Sequence, residues 1–193
     1  MTENQCIFCG IIAGKIPAKK VYEDSYVIAI LDINPRNPGH TLVIPKDHAG
    51  TIFEMKNEDI GNVFQSVRNV AVKAINAMKA QGANIVQSNG AVAGQMVPHV
   101  HFHVIPRFAN EGPVSIEAVL QVKKMNEEML DKIAEKIESA ELENPSDIEK
   151  GIEEAVERAV PEPKKPVKEK TDFSPAKKKS KKEEELEEID FNF

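Results

Sequence analysis

The chain lacks several things that would have placed it quickly. It has two cysteines in 193 residues, too few for the disulfide framework of a small secreted domain. It has no excess of positive charge: the formal net charge is −6, which argues against a general nucleic-acid or anionic-membrane surface. No apolar run approaches the roughly 20 residues of a membrane span. The first residues, Met1-Thr2-Glu3-Asn4-Gln5-Cys6, have neither the basic nor the apolar region of a signal peptide. These absences lead to the expectation of a cytoplasmic protein with no membrane contact.

What is present is concentrated in the first 103 residues. His99-Val100-His101-Phe102-His103-Val104-Ile105 sets three histidines at alternate positions in an apolar run. A β-strand sends successive side chains to opposite faces, so the three imidazoles emerge together while Val100, Phe102 and Val104 pack behind them. Satisfied surface histidines would be the ordinary reading of one such residue. Three in register suit metal binding or proton and phosphoryl transfer, because the imidazole titrates near neutrality. The remaining histidines, His40 and His48, and both cysteines, Cys6 and Cys9, fall in the same stretch.

The spacing of apolar residues predicts an α+β unit: a small antiparallel sheet with one long helix against it. Residues 26–32, 41–44 and 83–87 read as strands. Asn34-Pro35-Arg36-Asn37-Pro38-Gly39 supplies turn chemistry between the first two. Over residues 57–81, Ile60, Val63, Phe64, Val67, Ala71, Ala74 and Met78 follow helical spacing, with Gly82 as the stop. Residues 88–95 form a glycine-bearing loop, and Pro98 leads into the histidine strand. Beyond Arg107, Val122, Met125, Met129, Ile133 and Ile137 make an amphipathic stripe. A second helix is expected from Pro145, with Asn144 as its N-cap and Ile148, Ile152, Ala155 and Ala159 along one side. Nine lysines lie between 164 and 182, followed by six acidic residues from 183 to 190. Such a segment cannot bury enough apolar area to offset its ordering entropy. The expected division is a domain at 1–108, a helical extension at 109–160 and a disordered Lys/Glu-rich tail at 161–193.

Cys-x-x-Cys is a common half-site for structural zinc, which two histidines would complete. Reduced thiols without a metal, or a redox pair, are the alternatives, although nothing near Cys6 has the strand-to-helix setting of a redox motif. A catalytic zinc on the H-x-H strand would leave the cysteines without a role. Exposed backbone N–H groups around residues 89–94 could take a phosphate, or the glycines there could simply make a flexible hairpin. Asp32, at a strand end, could accept ribose hydroxyls or face solvent.

The heptapeptide His99–Ile105 resembles the signature of the histidine triad (HIT) superfamily. Further matches in order and spacing are Ile7-Phe8-Cys9-Gly10-Ile11-Ile12 with Ile16-Pro17-Ala18, Tyr22-Glu23-Asp24, Asp32-Ile33-Asn34-Pro35, Gly39-His40-Thr41-Leu42-Val43-Ile44-Pro45-Lys46 and Gly94-Gln95. The resemblance covers roughly residues 5–107. It implies hydrolysis or transfer at the α-phosphate of a purine nucleotide, releasing nucleoside monophosphate through a covalent adduct on His101. His103 would contact the phosphate or leaving group, with His40 beside it. Asn89, Gly94, Gln95 and Val97 would surround the phosphate. Asp32 would bind ribose, and Ile7, Phe8, Ile11, Leu31 and Ile33 would line the base pocket. In zinc-bearing members the equivalents of Cys6, Cys9, His48 and His99 hold a structural zinc.

The resemblance also implies a two-fold homodimer. Met96 stands where phosphoramidase members carry a hydroxyl, and Ile105-Pro106-Arg107 ends the strand as in prokaryotic and diadenosine-polyphosphate-cleaving members. Phosphoramidates and dinucleoside polyphosphates are therefore both expected substrate classes. The tail, ending Ile189-Asp190-Phe191-Asn192-Phe193, suits a docking peptide for a protein partner. A nucleotide-binding, zinc-stabilised adaptor acting through that tail is the alternative to an enzyme. A third reading, adenylate removal from DNA ends, would need duplex binding.

Overall fold

A computed structural model describes residues 5–111 and 125–140. A short helix, α1 (Ile7–Ile12), precedes three strands, β1 (Lys20–Glu23), β2 (Val27–Leu31) and β3 (Thr41–Pro45). The long helix α2 (Asn57–Met78) follows, then β4 (Gly82–Gln87), β5 (Phe102–Arg107) and, after an undescribed segment, α3 (Glu127–Glu138). The five strands form one antiparallel sheet in the order β1-β2-β3-β5-β4. The α+β expectation holds.

Strands β2 and β3 are apolar almost without interruption, Val27-Ile28-Ala29-Ile30-Leu31 and Thr41-Leu42-Val43-Ile44-Pro45, because both faces of the sheet are covered. On one face Val27, Ala29, Val43, Phe102 and Val104 pack under Val63, Val67, Val70 and Ala71 of α2. On the other, Ile28, Ile30, Leu42 and Ile44 pack with Cys6, Phe8, Ile11 and Val97. The functional residues gather on this second face. Asp24 locks the β1–β2 turn to α2: one carboxylate oxygen accepts the Tyr26 and Val27 N–H groups, the other the Tyr22 and Ser66 hydroxyls.

Three local readings change. Helix α2 stops at Lys79, in the left-handed conformation at φ 51°, where backbone bonds to Ile75 and Asn76 close the turn. Gly82 instead opens β4 opposite Arg107. The histidine run is not a strand throughout, since the ladder begins only at Phe102. Its alternation survives without the ladder: Val100 is fully buried on the α2 side and donates its N–H to the Ala49 carbonyl at 2.8 Å. Strand β1 and helix α1 are additions to the sequence reading. Pro106 is tolerated in β5 because pairing with β3 ends at Val104, and its carbonyl takes the Asn37 side-chain N–H at 2.8 Å. Gly39, at φ 81°, is required there, since a Cβ would stand 2.6 Å from Met78 Cγ.

Of the amphipathic stripe beyond Arg107, Met125, Met129, Ile133 and Ile137 are described. The last three lie in α3, capped by Asn126, whose side chain accepts the Met129 N–H at 2.9 Å. Val122, the helix expected from Pro145 and the tail at 161–193 lie outside the described residues. No described helix is long and apolar enough to cross a membrane.

Candidate functional site

The five histidines divide into two groups. Cys6, Cys9, His48 and His99 bring four ligand atoms within 4.8 Å of one another. His48 Nδ1 lies 3.1 Å from His99 Nδ1 and 3.3 Å from Cys9 Sγ, and His99 Nδ1 lies 3.4 Å from Cys6 Sγ. His99, fully buried, donates its Nε2–H to the Pro45 carbonyl at 2.9 Å. That bond leaves Nδ1 as a lone pair aimed at the two sulfurs and His48. The group could hold a metal ion.

His40, His101 and His103 form the second group, and backbone contacts fix their tautomers. The Arg36 N–H donates to His40 Nδ1 at 3.1 Å, so the His40 proton sits on Nε2, 2.9 Å from His103 Nδ1. His103 Nδ1 is then an acceptor, and its Nε2–H is left to point outward as a donor. His101 donates its Nδ1–H to the His99 carbonyl at 2.7 Å, which leaves a lone pair on Nε2. The His101 ring is buried and stands edge-on to Phe8, with centroids 5.2 Å apart, and to His103 at 5.1 Å.

Burial, reinforced by the neighbouring His101 and His40, pushes His103 down to about 4 from the usual 6.5. Burial also lowers His40, against the opposing pull of Asp32. Both rings are therefore neutral at pH 7. Asp32 accepts the Asn34 N–H through Oδ1, and its Oδ2 lies 3.5 Å from His40 Nδ1 and 4.0 Å from His103 Nδ1. The strand-end carboxylate thus faces the histidines.

The other expected substrate contacts separate. Phe8 is buried in the face that carries the histidines, and Ile11 and Val97 pack against it. Ile7 is half exposed and Ile33 is 92% exposed. Leu31 is a correction. It pairs with Thr41 and lines a cavity of about 320 Å³ with Tyr22, Val70 and Ala74, on the α2 face away from the histidines. Strand alternation makes Ile30, not Leu31, the neighbour of Asp32 on the histidine face.

Gln95 is also more committed than its sequence position suggests. Its side-chain N–H groups go to the Gly50 and Val97 carbonyls at 2.6 and 3.1 Å, and its oxygen takes the Gly90 N–H at 2.7 Å. Asn89 takes the Ile52 N–H at 2.8 Å and exchanges bonds with Gln87. Both amides brace the loop between β4 and His99 rather than reach out of it. Gly90 and Gly94, at φ 80° and 88°, allow its turns. Met96 is 88% exposed beside it. Sequence reasoning missed Pro45 and Arg36, which act through backbone groups and carry no side-chain signal.

The comparisons with known proteins agree with this geometry. A family model for the HIT domain matches residues 13–110, about half of the chain. A HIT-like protein of Methanocaldococcus jannaschii is 53% identical over 109 residues, which cover 56% of this chain and 84% of that protein. The adenosine 5'-monophosphoramidase of Schizosaccharomyces pombe is 38% identical over 137 residues, 66% of this chain and 98% of that protein. The crystal structure of a HIT-family protein from Bacillus subtilis matches with a TM-score of 0.62 at 38% identity, over 72% of this chain and 99% of that one. With sequence, sheet topology and histidine arrangement in agreement, this chain belongs to the HIT family.

Proposed function

We propose that this protein is a nucleotide hydrolase that cleaves at the α-phosphate of a purine nucleotide and passes through a nucleotidyl adduct on His101. The observation that carries the reading is the pair of tautomers: a bare Nε2 on His101 beside a protonated Nε2 on His103. In the first step the His101 Nε2 lone pair forms a bond to the α-phosphorus, and the bond to the leaving group breaks with its electron pair. An amine leaving group needs a proton as it departs; neutral His103 would become an imidazolate if it lost Nε2–H, so it hydrogen-bonds the departing nitrogen, and the proton comes from solvent. Water then attacks the same phosphorus, the N–P bond breaks with its electron pair returning to His101 Nε2, nucleoside monophosphate leaves, and the water's proton passes to solvent. The fixed Nδ1–H bond to the His99 carbonyl stabilises the imidazolium that His101 becomes while loaded.

The phosphate is assigned to the loop at residues 94–97, which the Gln95 and Asn89 side chains hold in place; the N–H groups of Ala93, Gly94 and Gln95 are bonded within it to Gly90 and Ala91, so the donors come from beyond Gln95. Asp32 reads the ribose, and Phe8, Ile11, Val97 and Ile30 make the base-facing wall.

The metal of this proposal is zinc. A tetrahedral zinc with nitrogen ligands near 2.0–2.1 Å and sulfur near 2.3 Å holds ligand atoms about 3.3–3.8 Å apart. Four of the six separations here, 3.1 to 3.6 Å, lie near that spacing, all four ligand atoms fall within 4.8 Å of one another, and the soft donor set suits the ion. Bound zinc supplies a cross-link between α1, the segment after β3 and the approach to His101; no chemical step passes through it. The protein is proposed to work in the cytoplasm as a homodimer. β4 is an edge strand, and Phe64, Val72 and Ile85 stand half exposed, which supports pairing of α2 and β4 with a second copy.

The test is AMP release from adenosine 5'-phosphoramidate and from diadenosine tetraphosphate by wild type and His101→Ala, with acid-free quenching to trap the adduct. Activity and a trapped phosphohistidine that both vanish in His101→Ala are expected. A fully active His101→Ala refutes the assignment.

A further inference from the structure

Helix α1 borders a second opening, which takes no part in the mechanism above. It is a cleft of about 780 Å³, and none of Asp32, His40, His101 and His103 lines it. Three lysines do: Lys15, Lys46 and Lys56. Lys46 is bonded to Glu23 at 3.0 Å, whereas Lys15 and Lys56 are exposed and make no ion pair among the described residues. Asp47 is the single acid on the lining. The same lining carries Ile7, Ile12 and Ile16, of which Ile7 is 48% and Ile16 37% exposed.

The cleft thus joins uncompensated positive charge to aliphatic surface left in water. A small anion would use the lysines and leave the isoleucines wet. The complementary ligand is a peptide that carries acidic and large apolar residues together. The chain ends in such a peptide. Residues 183–193 hold six acids, from Glu183 to Asp190, with Leu186, Ile189, Phe191 and Phe193 among and after them. The lysines at 164–182 offer these acids charge, but Val167 and Phe173 are the only large apolar residues of that stretch. About 40 residues separate α3 from Glu183, and a chain of that length reaches up to about 130 Å. A domain of this size is about 35 Å across, so the cleft lies within reach. Exposed ion pairs are individually weak. A tether offsets this with an effective concentration of about 1 mM, at which a contact with a dissociation constant of about 0.1 mM is closed about nine-tenths of the time.

We propose that residues 183–193 dock in this cleft of their own domain, with the acids against Lys15 and Lys56 and the apolar side chains over Ile7, Ile12 and Ile16. Cys9 and His48 also line the cleft, so the docked segment covers the side of the metal group that faces it.

The experiment measures backbone nitrogen relaxation by NMR on the full chain at low salt. Order parameters above about 0.6 are expected for residues 184–190. They should fall below that value in Lys15→Glu/Lys56→Glu, in Phe191→Ser/Phe193→Ser, and in wild type at about 1 M salt, where the screening length is about 3 Å. Deleting residues 183–193 should move the amide resonances of Lys15, Ile16 and Lys56. Order parameters below about 0.6 throughout the wild-type segment overturn the proposal and leave the tail to a separate partner. An ordered segment that neither double variant releases overturns the assignment to this cleft, as do resonance changes confined to other parts of the domain. Contacts that appear between labelled and unlabelled molecules in a mixed sample overturn self-docking and make a second copy the occupant.

Discussion

Replacing His40 with phenylalanine isolates the step that the site relies on most, the placement of a single proton. The ring is 3% exposed, so phenylalanine preserves most of its volume and avoids a cavity. Two bonds disappear: Arg36 N–H to Nδ1 at 3.1 Å and Nε2–H to His103 Nδ1 at 2.9 Å. At about 1 kcal/mol net for each bond, the folded state should lose about 2 kcal/mol. The effect on chemistry is separate. Without the His40 donor, the His103 proton is free to move to Nδ1, where Asp32 Oδ2 lies 4.0 Å away. Nε2 then presents a lone pair to the phosphate instead of a proton.

Losing a transition-state donor of this kind lowers kcat by about 10- to 100-fold. KM, set mainly by the base and ribose contacts, should change little. Steady-state AMP release gives the kinetic constants, and long-range proton–nitrogen NMR of the imidazoles reports the tautomer. The wild-type spectrum should show His103 protonated on Nε2 and the variant should not. A variant whose His103 keeps its Nε2 proton shows that His40 does not set the tautomer. A kcat within two-fold of wild type after the proton has moved removes His103 as the donor.

Three more expectations come from the same geometry. Stripping metal with a chelator should lower Tm by more than 10 °C, because the cross-link between three segments is lost. Cys9→Ser should do the same, and calorimetric scans in which neither moves Tm would undo the metal assignment. Leu31→Ala should leave the KM for substrate within two-fold, whereas Ile30→Ala should raise it and destabilise the fold by about 2–4 kcal/mol. A KM effect at Leu31 alone would put the base on the wrong face of the sheet. Between pH 6.5 and about 4 the unfolded chain accepts a proton that folded His103 refuses, so the contribution is intact above 6.5 and lost as pH falls through that window. The full difference is about 3 kcal/mol, and with the side chain 32% exposed about 2 kcal/mol should remain. Denaturant melts of His103→Gln should show a correspondingly flatter pH profile, and an unchanged slope would refute the shift.

How much of this could be read from the chain depends on which atoms do the work. Side-chain identity and spacing carried the sheet and the face that the histidines share, because alternation of Val100, Phe102 and Val104 with them survives even where the ladder does not begin until Phe102; the choice of His48 and His99 to join the cysteines came from the family resemblance. The C-x-x-C pair meets His48 and His99 although they are 39 and 90 residues from Cys9, a pairing that composition permits and only the fold enforces. What escaped was decided by backbone. Leu31 and Ile30 are both apolar neighbours of Asp32, and the extended backbone that carries Leu31 opposite Thr41 puts Ile30 on its face by alternation. Gly82 reads as a helix stop because glycine favours left-handed φ, yet Lys79 adopts that conformation three residues earlier. Pro45 and Arg36 set the tautomers of His99 and His40 through a carbonyl and an amide that every residue type supplies. A ring proton can thus be positioned by groups with no sequence signature.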